Sequence, residues 1–201
     1  MNYCKHLVGT EKYLTNHEIP EIEHTNKNDD LDFSLTPKEI LTRFKSKIYS
    51  FLDEEDCINC YQSSLFGDYL FKYCIYIDKY IDNLELDNAF YLTTNFIDIV
   101  NNIYIYVIDT KDEINEILIN YLITLTNDNT FYEKIKTYLL KKYQSYELDE
   151  VGEEILSNLI PTIKEKDIAL NYINLLKQIK VESYLESKIK EYIKVLKTIK
   201  N

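Results

Sequence analysis

Cys57 and Cys60, separated by Ile58 and Asn59, have the C-x-x-C spacing of redox thiol pairs and of half a zinc site. Cys4 and His6 would complete a four-ligand set if the N-terminal segment folded back. No second local pair of ligands accompanies either half, so the expected state is a helix start with one thiol buried, and no metal or cofactor is assigned. Glu150, Glu153 and Glu154 form the other chemistry-bearing set. Carboxylates at such spacing would suit a metal-dependent nucleotide hydrolase if a second acidic pair faced them across a helical bundle. Glu182 and Glu186 have the right character for that pair and serve equally well for capping and solvation.

What is missing narrows the field more than what is present. All three histidines (His6, His17, His24) lie in the first 24 residues. The remainder therefore cannot hold a Ser-His-Asp or Cys-His machine, nor a Glu-x-x-His di-iron site. Arg43 is the single arginine, and three glycines cannot build P-loop or dinucleotide-binding turns, neither of whose motifs occurs. The expectation is a protein without catalytic activity.

A net charge of −11 argues against broad DNA binding, which depends on neutralising phosphates with Lys and Arg. The charge is uneven. Residues 145–154 (SYELDEVGEE) carry five carboxylates and no lysine, whereas residues 177–200 carry seven lysines against Glu182, Glu186 and Glu191. Solvated helix faces account for both runs; the sharper reading is two oppositely charged patches that orient a partner. Its residues would be Tyr143 and Tyr146 beside the acidic run, Glu150, Glu153 and Glu154 within it, and Lys188, Lys190, Lys194 and Lys197 on the last helix. Tyrosine suits such a surface because a large apolar ring carries a polar tip. The same lysines would also suit an anionic membrane surface.

Periodicity places these residues on helices. Thr36, Pro37 and Glu39 make a helix-start signature, followed by Ile40, Leu41, Phe44, Ile48, Phe51 and Leu52 at helical spacing. That helix should stop near the acidic run at 53–56, with Asp56 capping the next. Leu65, Phe66, Tyr69, Leu70, Tyr73, Ile77, Tyr80 and Ile81 continue the pattern. Residues 96–125 are the most apolar stretch, and a start signal at Thr110 and Glu113 divides them into a central hairpin. Within it IYIYVI (103–108) alternates and favours a strand, but helical period and the lack of a partner strand predict helix, with a strand there as the test against an all-α fold. Thr130 with Glu133, Ser183 with Glu186, Asp149 and Asp167 supply further expected caps. Pro161 should interrupt the helix begun at Asp149. The prediction is an all-α fold of seven to eight antiparallel helices over residues 36–201, a compact bundle or a short hairpin array, after an extended or partly disordered N-terminal arm over 1–35.

Two resemblances bear on this. Residues 153–179 (EEILSNLIPTIKEKDIALNYINLLKQI) resemble one HEAT-repeat hairpin, with Leu-Ile-Pro closing the first helix and a charged turn leading into the second; the usual Val-Arg of the second helix is missing. Residues 43–66 (RFKSKIYSFLDEEDCINCYQSSLF) resemble the first helix of poxviral Bcl-2-like apoptosis inhibitors, which implies an all-α fold with a groove for amphipathic helices. Neither the Trp-containing groove motif nor the membrane anchor common in that family is present.

The primary expectation is a binding or regulatory module docking on a larger protein or ribonucleoprotein. Alternatives are the Bcl-2-like inhibitor, a ribosome- or assembly-associated factor using its N-terminal arm, and the carboxylate-dependent nucleotide hydrolase. Self-association is left open. No secretory apolar region, no membrane span and no dense cysteine framework occur, so a cytoplasmic location is expected. Abundant Asn, Lys, Ile and Tyr beside scarce Gly, Ala and Arg point to an AT-rich coding genome.

Overall fold

A computed structural model describes residues 31–50, 57–58, 60–105, 108–144 and 146–199. The chain divides into two units, Met1–Ser34 and Leu35–Asn201. In the first, the described residues 31–34 form a turn whose Asp32 carboxylate accepts from the Ser34 amide at 3.0 Å and its hydroxyl at 2.6 Å. The arm expected over 1–30 lies outside the described residues, as do the expected stop at 53–56 and the cap Asp56.

The second unit is all-α. Among the described residues it holds eight α-helices: α1 (Pro37–Tyr49), α2 (Cys60–Asp82), α3 (Leu86–Asn101), α4 (Ile108–Leu125), α5 (Thr130–Lys142), α6 (Glu150–Leu159), α7 (Lys166–Gln178) and α8 (Glu186–Leu196). No helix among them is long and apolar enough to cross a membrane. Four strands of two residues each, β1 (Cys57–Ile58), β2 (Tyr104–Ile105), β3 (Glu147–Leu148) and β4 (Lys180–Val181), lie in the connections α1–α2, α3–α4, α5–α6 and α7–α8. The chain thus runs as four helix–strand–helix units.

Corresponding connections run the same way, so the strands pair in parallel. Cys57 lies opposite Tyr104 and Ile58 opposite Ile105; Glu147 lies opposite Lys180 and Leu148 opposite Val181. These bridges join the first unit to the second and the third to the fourth. Among the described residues none joins the second to the third.

The first helices of the units neighbour one another. Phe44 of α1 meets Phe96 of α3 at 4.2 Å between ring centroids, Phe90 of α3 meets Phe131 of α5 at 5.9 Å, and Tyr132 of α5 meets Tyr172 of α7 edge-on at 6.2 Å. The buried Tyr172 hydroxyl donates to the Tyr132 carbonyl at 2.8 Å, which meets the need of its polar tip. The second helices do likewise: α4 packs on α2 and α6, and Glu153 of α6 holds Lys188 and Tyr192 of α8. Between the two layers lies the core, including Phe44, Phe66, Leu70, Ile77, Phe96, Ile97, Leu118, Leu122 and Ile155.

Local sequence explains most boundaries. Thr36 and Glu39 form the expected capping box, with Pro37 opening the helix. Asp149 caps α6 by accepting from the Gly152 amide at 2.8 Å. Pro161 ends that helix at Leu159 in a 3₁₀ turn, Ile160–Thr162, as expected.

Other expected caps are corrected. At α5 the donor-satisfying group is Asp128, whose carboxylate accepts from the Thr130 amide and hydroxyl, both at 2.9 Å. A carboxylate outside the helix reaches the free amide without Thr130 having to leave helical geometry. Helix α7 begins at Lys166, so Asp167 sits inside its first turn, and α8 begins at Glu186, beyond Ser183, after a turn ending at Leu185. Helix α4 begins at Ile108, which puts Thr110 within it.

The helix expected through IYIYVI is also corrected. Helix α3 ends at Asn101, and Tyr104–Ile105 is the strand β2. Its partner strand is Cys57–Ile58, a two-residue strand too short for a periodic signal. Asn101 turns its side chain back to the Ile97 carbonyl at 2.8 Å and bonds the buried Asn115 at 3.1 and 3.3 Å, which favours termination there. Released from the helix, the β-favouring residues follow their local preference. A two-residue bridge between helices leaves the fold all-α. The segment resembling one Bcl-2-like helix spans the end of α1, β1 and the start of α2, with 51–56 and 59 outside the described residues.

Helix α2 ends in a Schellman motif: the Glu85 amide donates to the Tyr80 carbonyl at 2.7 Å and the Leu84 amide to the Ile81 carbonyl at 3.0 Å. Leu84 adopts φ 60°, a left-handed conformation that costs a side-chain-bearing residue roughly 1–2 kcal/mol. Its side chain is 82% exposed and packs little in return. Leu84→Gly is therefore expected to stabilise the protein by about 1 kcal/mol, read as a higher urea midpoint with an unchanged slope.

Candidate functional site

The seam between the second and third units carries a groove of about 1030 Å³ lined by the end of α3, the end of α5 and the β3 and β4 connections. Its floor is held by internal bonds. Asp98, in the last turn of α3, accepts from the Tyr138 hydroxyl at 2.8 Å and from the Lys142 ammonium at 3.0 Å. The Lys142 ammonium also stands 5.7 Å from the Tyr138 ring centre and 5.9 Å from that of Tyr143, within cation–π range. Burial, then the charge of Asp98 and its hydrogen bond, push the Tyr138 hydroxyl well above the ordinary tyrosine range.

Tyr143 was expected at the surface; it is 2% exposed and belongs to the core. Its hydroxyl donates to Asp149 at 2.5 Å, the carboxylate that also caps α6. Burial and then that bond raise its pKa, so Tyr143 remains a protonated donor. A Cβ on Gly152 would lie 2.5 Å from the Tyr143 hydroxyl and from Leu148 Cδ1, so residues 146–152 fold tightly against Tyr143. The period of α5 carries Tyr143 inward as the next residue on the Tyr132–Leu139 face. The missed signal was this helical continuation.

The groove's rim is open. Tyr146 is 73% exposed, and Glu147 and Glu182 are exposed at the third and fourth connections. Tyr184, also exposed, stands among Glu182, Glu150, Asp149 and Glu153; desolvation, then these charges, raise its pKa. The remaining expected site residues divide. Glu153 is half-buried and committed to Lys188 at 3.0 Å and to the Tyr192 hydroxyl. Lys190 pairs with Glu186 of its own helix at 3.2 Å, while Lys194 and Lys197 are exposed. The acidic run and the basic helix are thus joined at Glu153–Lys188.

Glu154 faces Asp112 and Glu116 of α4. Desolvation, then these charges and that of Glu153, raise its pKa. A carboxyl with a raised folded-state pKa binds protons more readily folded than unfolded, so its ionisation costs stability. That cost is absent below the unfolded pKa and complete above the folded one. Glu154→Gln should therefore stabilise the protein at neutral pH and do so progressively less as pH falls through the carboxylate range, as paired urea titrations at neutral and acid pH would show.

Among the described residues no group of three or more His, Cys, Asp or Glu is arranged to hold a metal ion. The side chains of Cys57 and Cys60, and all of Cys4 and His6, lie outside the described residues. Cys74 is buried, and burial followed by the charge of Asp78 pushes its thiol up to about 12, which leaves it protonated and unreactive at neutral pH. Asp98, Tyr138, Lys142 and Glu147 were missed from sequence. Asp98 carried one usable sign: a carboxylate in the last turn of an apolar helix is unfavourable unless a cation answers it.

No protein-family model matches the chain, and no curated protein or solved structure is significantly similar to it.

Proposed function

We propose that the chain is a non-catalytic docking module, a HEAT-like array of helix pairs that holds a larger protein or ribonucleoprotein against the groove at the seam. The observation that supports this reading is the division of labour among the groove's polar groups. Asp98 and Asp149 are spent on internal bonds, while Tyr146, Glu147 and Glu182 face solvent at the rim. Groups fixed in this way build a shaped floor, and the exposed tyrosine and carboxylates supply recognition. Proton transfer or nucleophilic attack would instead require an uncommitted reactive group in the depth of the site. Of the residues expected from sequence to contact a partner, Tyr146 is the one this reading retains at the centre; Glu150 flanks it beside Tyr184.

A photo-crosslinking residue placed at position 146 tests the reading in cells of the source organism. Reproducible crosslinks to the same protein or proteins at 146, absent from a probe at the exposed position 75 on α2, are expected. Equal crosslinking at both positions, or none at 146, would show that the groove is not the docking surface.

A further inference from the structure

We infer that the groove's occupant is a lysine- or arginine-rich segment of a protein partner, an assignment that rests on the docking reading above. The electrostatics of the floor point to a cation. Helices α3 and α5 both end there, with Asn102 and Tyr143 as their C-caps, and the carbonyl end of a helix favours positive charge. Four carboxylates, Asp98, Glu147, Asp149 and Glu182, line the groove against two lysines, Lys141 and Lys142.

One cation already sits in this environment. The chain's own Lys142 lies 3.0 Å from Asp98 with its ammonium near the rings of Tyr138 and Tyr143. That arrangement of carboxylate and tyrosine faces around an ammonium is an internal precedent for the chemistry. The rim repeats its components: Tyr146 beside Glu147 from the β3 connection, and Glu182 from the β4 connection. Neither Glu147 nor Glu182 forms an ion pair among the described residues, although Glu147 stands in register with Lys180. A basic side chain from a partner would complete at the rim what Lys142 completes on the floor. An anionic segment would meet the two rim carboxylates and two helix C-termini, and an apolar helix would strand the rim carboxylates.

Fluorescence anisotropy with short labelled peptides, lysine-rich, glutamate-rich and uncharged, tests this on the full chain. The lysine-rich peptide should bind with an affinity that falls as salt rises, and the other two should not. Each reversed rim charge turns an attraction into a repulsion, so the double change Glu147→Lys, Glu182→Lys should weaken binding about tenfold with circular dichroism unchanged. Tyr146→Ala should weaken it about two- to fivefold through the lost ring face. Glu191→Lys, on α8 away from the groove lining, should change it less than about twofold. Equal losses from Glu191→Lys and the rim changes would mean diffuse attraction to an acidic protein and would overturn the inference. Rim-dependent binding of the uncharged or acidic peptide would also overturn it while leaving the docking reading in place. No rim-dependent binding by any peptide, with crosslinks still formed at 146, would remove the basic-segment assignment alone; loss of those crosslinks as well removes both.

Discussion

Replacing Phe96 with alanine is expected to cost about 3–5 kcal/mol, a large share of the stability of a domain this size. Phe96 has no solvent exposure, and its ring meets Phe44 of α1 at 4.2 Å and Tyr73 of α2 at 6.4 Å. It therefore stands where the first unit packs on the second. The loss has two parts, the transfer of a buried ring and the cavity left among stiff neighbours. Urea unfolding measures it directly. Phe96→Leu, which keeps much of the volume, should recover more than half of the loss; equal destabilisation by the two substitutions would mean that the ring's shape, not its burial, is what counts.

Asp149→Ala should cost about 2–4 kcal/mol although the residue itself is exposed. Roughly 1 kcal/mol is the lost cap of α6. The larger part, about 1–3 kcal/mol, comes from leaving the buried Tyr143 hydroxyl without its acceptor. The two parts separate in a double-mutant cycle. In the Asp149→Ala background, Tyr143→Phe removes the orphaned hydroxyl and should restore about 1 kcal/mol or more, whereas in the native background it should be destabilising. Additive effects would show that the hydroxyl finds another partner.

The helices were legible because their signals are local and redundant. The Ile40–Phe44–Ile48 stripe, the Thr36–Glu39 box and Pro161 each act over a single turn, and all appear as read. Helix starts at Thr110, Asp167 and Ser183 misled because a residue able to cap does so only if the backbone leaves helical geometry there, which the preceding connection decides. The strands were illegible for a different reason. Pairing two residues at 57–58 with two at 104–105 depends on stacking units distant in sequence, and no periodicity survives in so short a segment. The groove shares that cause. Asp98, Tyr138, Glu147 and Glu182 come from two helices and two connections, and only the stacking of the units brings them together. Tyr146, beside the acidic run, is exposed as expected, while Tyr143, three residues earlier, still follows the inward face of α5.

The absence of a bridge between the second and third units, among the described residues, has a mechanical consequence. Backbone ladders couple units one and two, and three and four. The middle interface rests on side chains: Phe90 on Phe131, Lys134 with Asp87, and Tyr138 and Lys142 on Asp98. With no backbone ladder across it among the described residues, this joint depends on side-chain contacts and is expected to respond to salt and to side-chain loss. The groove straddles it. A ligand bound there would act as a clasp across two blocks, and its binding free energy would add to their cohesion by linkage.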